Sequence, residues 1–156
     1  MNINGQYNAY PPRLAITCGI SLEKAKELFD GYWKLNWSIK EVASNQRIIE
    51  LGEEMWMQNP INGFWYSLRT KNDIFSTLVQ GTASYVFDKW VEFVLEERRQ
   101  LTAQFHDEIV LCIREKIEKQ AEELVRKALD KTNQFLKLNR ELDIGVQFGK
   151  RYSNIH

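Results

Sequence analysis

The stretch from Glu115 to Leu138 constrains the fold of this chain more than any other. Ile117, Ala121, Leu124, Val125, Ala128, Leu129, Phe135 and Leu136 recur at helical spacing, with charged residues on the other side. Such a sequence makes a helix with one apolar stripe, and a stripe must be covered. The residues before it change period. Leu101–Phe105 and Ile109–Ile113 read as two strands of a hairpin around His106, Asp107 and Glu108. A last short strand is expected near Ile144–Phe148, where Ile144, Val146 and Phe148 alternate.

Upstream, Ser21 reads as an N-cap for a helix carrying Leu22, Ala25, Leu28, Phe29, Tyr32 and Trp33. Ser38 with Glu41 has the capping-box pattern S-x-x-E and opens a second helix, to about Met57. The Asn59-Pro60 step stops it. Residues 1–12 are expected to be irregular, because Pro11-Pro12 and the polar residues before them disfavour regular structure. Asn62-Gly63 is a turn pair, and Phe64, Trp65, Tyr66 and Leu68 form a short β excursion. Thr70 with Asp73 resembles another capping box. A long helix then runs to roughly Arg98, with Phe75, Leu78, Val79, Val86, Trp90, Phe93 and Val94 along one side. Within it lies the small-residue run Gly81-Thr82-Ala83-Ser84. Glycine costs about 1 kcal/mol in a helix interior, so a helix neighbour or a ligand should benefit from the close approach. The order β, long α, β-hairpin, α, β makes the fold α+β, with a small antiparallel sheet packed against long helices.

With 156 residues the chain is long enough for one compact domain with a real core. Five Trp (Trp33, Trp37, Trp56, Trp65 and Trp90) imply a large aromatic surface that is buried or faces a partner. Lys and Arg number 21, as do Asp and Glu. A protein that holds DNA alone is usually net basic, so any phosphates here would be met by a local patch or by another chain. Cys18 and Cys112 lie far apart without CxxC spacing, which argues against a zinc cluster or disulfide framework and for a reducing compartment. The chain has no apolar run of membrane-spanning length and opens on a polar segment. The expectation is a soluble, cytoplasmic protein.

The chemistry concentrates in Gln104-Phe105-His106-Asp107-Glu108-Ile109-Val110-Leu111. Two adjacent carboxylates follow a histidine at a turn between apolar runs. One carboxylate on a stiff hairpin is a common way to fix a divalent metal. A complete site needs more carboxylates than this hairpin carries.

The same string is similar to motif C of the family A DNA polymerases, the bacterial DNA polymerase I group and its phage relatives, typically V-H-D-E followed by apolar residues. Four further segments fall in that family's order. Leu78-Val79-Gln80-Gly81-Thr82-Ala83 is similar to its Q-G-(S/T)-A-A helix. Asn62-Gly63 to Arg69 looks like its G-R-x-x-x-L-R-S turn and strand. Leu14-Ala15 through Gly19-Ile20-Ser21 to Ala25, then Tyr32-Trp33, looks like a phage-type fingers segment. Gly149 to His156 resembles its G-x-N-W-x-x-x-H ending. Departures accompany the match. The D-Y-S-Q-I-E motif with the first catalytic carboxylate is absent. So is the nucleotide-binding helix, apart from Tyr7-Asn8-Ala9 where its pattern ends in Y-G-A. Ser76 stands where the family usually has a DNA-contacting Asn, and Phe64 replaces the basic residue of G-R.

The resemblance implies a partial, helical fingers subdomain over 1–60 and the C-terminal half of a polymerase palm over 61–156. It implies two-metal nucleotidyl transfer with Mg²⁺. Asp107 would be the metal ligand this chain supplies, and Glu108 a second, supporting carboxylate. His106 would hold the primer-terminal backbone and Gln80 would donate to minor-groove acceptors. Arg69 would meet a phosphate. Ser76 and Gly81 would lie along the DNA, while Tyr7 and His156 would approach nucleotide or template. Together with the initiator Met, the missing motif implies the C-terminal subunit of a split polymerase. An N-terminal polypeptide would supply the first catalytic Asp and the nucleotide-binding helix. Primer-template DNA and dNTP would be the other partners, with no membrane and no activity for the chain alone. The alternative is a non-catalytic relic or accessory that binds primer-template DNA or a replication protein.

Overall fold

The computed structural model describes residues 10–98 and 101–155. The chain divides into two compact units, Met1–Thr82 and Ala83–His156. The fold is α+β, with long helices and two small antiparallel sheets, one of three strands and one of two.

In the first unit, helix α1 spans Pro11–Cys18. This corrects the expectation of irregular structure through residue 12. The two prolines occupy the first helical positions, where the missing N–H is no loss and the fixed φ suits a helix. Gly19 ends α1 in the left-handed conformation, φ 62°. Its N–H donates to Ile16 O at 3.4 Å, and the N–H of Ile20 donates to Ala15 O at 3.1 Å, closing the turn as a Schellman motif does. Helix α2, Leu22–Leu35, begins as expected, with Ser21 Oγ accepting from the Lys24 N–H at 3.2 Å.

The second expected helix is much shorter. Helix α3 spans only Trp37–Ser44 and starts after Asn36, so the Ser38–Glu41 capping box does not form. Asn36 directs both its N–H (2.9 Å) and its side-chain amide (2.8 Å) to Tyr32 O. That closes α2 and leaves Ser38 already inside the next helix. The rest of the expected helix is a β-hairpin, β1 Arg47–Leu51 paired with β2 Glu54–Gln58. The β-branched pair Ile48-Ile49 favours strand. Gly52, at φ 63°, supplies the positive φ of a two-residue turn. Strand β3, Trp65–Leu68, pairs with β2 to give the order β1-β2-β3.

The core of this unit is Met57, Leu68, Ile74 and Leu78, with Ala43, Ile48 and Met55 packed against it. Buried among them is Asn59, fully inaccessible. Its amide donates to Thr82 Oγ1 (2.9 Å) and Leu78 O (3.4 Å), and its Oδ1 accepts from the Ile61 N–H (2.9 Å). Its backbone N–H donates to Phe64 O at 2.9 Å, and its carbonyl accepts from Gly63 at 2.8 Å. One side chain thus joins the β2–β3 loop to helix α4, Ile74–Glu97. The Thr70–Asp73 capping box forms as expected, on a short 3-10 turn ahead of α4.

In the second unit, strands β4 Ala103–Phe105 and β5 Glu108–Val110 make the expected hairpin. Helix α5 spans Glu118–Leu136. Its stripe, Val125, Ala128 and Leu129, packs with Trp90 and Val94 as the core. Trp90 Nε1 donates to Val125 O at 3.1 Å. The strand expected at 144–148 does not form. The alternation there does reflect packing: Leu142, Ile144 and Val146 lie against the core. The segment is fastened by side chains instead of a ladder. The Asn133 amide bonds both Leu142 O (3.0 Å) and the Leu142 N–H (2.9 Å), and the Ile144 N–H donates to Asp143 Oδ1 (2.8 Å).

Candidate active-site hairpin

The site is built from the register of β4 and β5. Ala103 pairs with Val110, Gln104 with Ile109, and Phe105 with Glu108, so the turn consists of His106 and Asp107 alone. Ile109 and Leu111 pack on the Trp90–Val125 core and anchor the hairpin. Its base is tied further. The Thr102 N–H donates to Val110 O at 2.9 Å, the Cys112 N–H donates to Thr102 Oγ1 at 2.8 Å, and the Arg98 guanidinium donates to Cys112 O.

The tip is exposed and its backbone is unusual. His106 has φ 43°, a region that non-glycine residues visit seldom, though His is among the more tolerant. The β1–β2 turn has the same two-residue length and places its positive φ at the same first position, where it uses Gly52. A side chain thus stands at 106 where glycine is the easier choice. Asp107 follows it, exposed, and its carboxylate makes no hydrogen bond or ion pair with another described residue.

Glu108 is different. It lies on the Phe105 face of the hairpin and is half-buried. Tyr152 Oη donates to its Oε1 at 3.4 Å, and the Tyr152 ring packs at a 41° tilt against Phe105, with centroids 6.0 Å apart. Partial desolvation of its hydroxyl, followed by the charge and hydrogen bond of Glu108, raises Tyr152 above its ordinary pKa, although the side chain is half exposed. The two neighbouring carboxylates thus have separate surroundings, one open and one engaged.

The remaining predicted site residues belong to the first unit or fall outside the described residues. Gln80 and Ser76 lie one turn apart on α4. Gln80 is exposed, while Ser76 is half-buried and donates from Oγ to Asp73 O at 3.0 Å. Arg69 follows β3, exposed, with no ion pair to a described residue. Gly81 is buried, and the close approach it permits is made by the Tyr66 ring: a β-carbon at 81 would stand 2.8 Å from Tyr66 Cζ. Tyr7 and His156 lie outside the described residues.

Among the described residues, no group of three or more His, Cys, Asp or Glu side chains is placed to hold a metal ion. Asp107 alone offers two hard oxygens. Mg²⁺ commonly takes one or two protein carboxylates and completes its octahedron with water and phosphate oxygens, so the donor fits one corner of a shared site. Sequence reasoning missed Tyr152, which meets Glu108 from 44 positions away in the chain, and it took Asn59 only as a helix stop. No helix among the described residues is long and apolar enough to cross a membrane. No protein-family model matches the chain, and no curated protein matches it.

Proposed function

We propose that this chain is the C-terminal part of a family A DNA polymerase, carrying the rear of the fingers and the second half of the palm. It acts with a second polypeptide that brings the first catalytic carboxylate and the nucleotide-binding helix. The observation that carries this reading is the hairpin tip. A two-residue turn projects one open carboxylate, Asp107, beside a histidine held at positive φ, on strands anchored to the core. Backbone conformations of that kind cluster at functional sites.

In this reading Asp107 holds Mg²⁺ together with the partner's carboxylate. Bound there, the ions would supply charge stabilisation for in-line phosphoryl transfer. His106 steadies the primer terminus, and Glu108 shapes the hairpin from its engaged position. Gln80 tests the minor groove, where acceptors occupy similar places in every base pair, and Arg69 meets a phosphate. The balanced charge of the chain fits a subunit that shares its DNA contacts with a partner. Among the described residues, the exposed large side chains Trp37, Phe64, Leu35 and Ile16 are suited to contact with that partner.

The test is co-expression with the candidate N-terminal polypeptide, followed by Mg²⁺-dependent primer extension. Extension by the pair and by neither chain alone supports the reading. Extension by this chain alone, or DNA binding by the pair without any extension, contradicts it; the latter outcome is that of a relic or accessory.

A further inference from the structure

We infer that Tyr152 is a positioning residue for the carboxylate hairpin, holding Glu108 to the Phe105 face so that Asp107 is the one carboxylate presented at the tip. Three observations converge on this. The first is the register, which makes Phe105 and Glu108 directly opposed neighbours on one face. The second is that Tyr152 engages both at once, its ring on Phe105 and its hydroxyl on Glu108 Oε1. The third is that the C-terminal segment is shaped to deliver it. Tyr152–Asn154 form a 3-10 turn, closed by Asn154 N–H to Arg151 O (2.9 Å) and Ile155 N–H to Tyr152 O (3.1 Å). Gly149 sits under that turn so closely that a β-carbon there would lie 2.8 Å from Ile155 Cγ2 and 2.9 Å from Asn154 Cβ.

The consequence is a division of labour between adjacent carboxylates. Side chains that follow one another at a strand end are free to turn toward the same ion. Engaging one of them removes that freedom, leaving a single hard ligand at the tip and the second as support. What the carboxylates then do rests on the polymerase reading; the contact itself does not.

The experiment uses the full chain with ¹³C-labelled tyrosine, followed by NMR. In Glu108→Gln, the titration midpoint of Tyr152 should fall from its raised position toward that of ordinary tyrosine, stopping short because partial desolvation remains. In Tyr152→Phe, amide exchange at Phe105 and Glu108 should quicken by about threefold to tenfold, the effect of one lost hydrogen bond, with the far-UV spectrum unchanged. An unmoved Tyr152 midpoint, or unchanged hairpin exchange, overturns the inference. The reconstituted enzyme adds an independent arm. Tyr152→Phe should lower kcat for primer extension while the KM for dNTP holds. If the wild-type pair extends no primer, the polymerase reading fails, and the two NMR results still decide the role of Tyr152.

Discussion

The ring of Tyr66 lies directly over Gly81, with no room for a β-carbon between them. An alanine β-carbon would stand 2.8 Å from Cζ and 3.0 Å from the hydroxyl oxygen, which the Asn62 amide holds at 2.9 Å. Gly81→Ala therefore sets two effects against each other. Helix propensity gains roughly 1 kcal/mol, and overpacking costs about 1–3 kcal/mol. The expected result is a loss of up to about 2 kcal/mol, read as a lower urea midpoint at unchanged slope. In a Tyr66→Ala background the obstacle is gone, and the same substitution should stabilise. That reversal of sign is the check.

Asn59 joins the β2–β3 loop to α4 through side-chain bonds to Thr82, Leu78 and Ile61, and it is wholly buried. Asn59→Ala removes the partner of the Thr82 hydroxyl and of the Ile61 N–H and opens a cavity. We expect a loss of about 2–4 kcal/mol in urea unfolding. Asn59→Asp should be no better, because it replaces the two donor bonds by a buried carboxylate. A loss below about 1 kcal/mol for either variant would contradict the role given to Asn59.

How much of this was legible in the sequence follows from what each signal depends on. Helix α5 and the β4–β5 hairpin were readable because their periods persist over enough residues to exclude the alternative. The Ser38–Glu41 capping box misled because the helix start is decided two residues earlier, by Asn36 closing α2 on Tyr32. The hairpin 47–58 was hidden because Ile48-Ile49 and Met55-Trp56-Met57 fit either period. Only the turn at Gly52-Glu53 separates them. At 144–148 the alternation was real, but Asn133 holds the segment where a ladder would have been. The candidate site was legible as a string, since His106, Asp107 and Glu108 are contiguous. The separation of the two carboxylates was not, because it is made by Tyr152 from the far end of the unit.

His106 is predicted to trade stability for its side chain. His106→Gly removes the constraint at positive φ and should be neutral or stabilising, by up to about 1 kcal/mol. His106→Val, β-branched at the same φ, should destabilise by about 1–2 kcal/mol. Thermal or urea unfolding of the pair checks this. In the reconstituted polymerase, His106→Gly should nevertheless extend primers more slowly, and a variant that is both stable and fully active would remove His106 from the site.

The outer face of the second unit carries a pH-dependent contribution. Hydrogen bonds from Lys131 and then Lys127, with their charges, hold the Glu97 carboxyl below its usual pKa; hydrogen bonds to Glu97 and Glu96 hold Lys131 above its own. A depressed carboxylate stabilises the fold above its unfolded pKa, and the gain is lost as pH falls through its folded pKa. A raised lysine stabilises below its unfolded pKa, and the gain is lost as pH rises through its folded pKa. The urea midpoints of wild type and Glu97→Gln should therefore differ most between about pH 5 and 10, converge outside that window, and differ less at high salt. The pair lies on an exposed surface, so the effect is small. A gap that is constant with pH would contradict it.

Primer extension by the reconstituted pair, with wild-type chain against Asp107→Ala, tests the central claim most directly. With Mg²⁺ present, the account predicts extension by the wild-type pair. It predicts a loss of about 10²–10³-fold in kcat for Asp107→Ala, the scale of removing one centre of transition-state charge stabilisation, with complex formation and urea stability unchanged. Equal extension rates for the two would contradict it, because the carboxylate at the hairpin tip would then have no part in the chemistry.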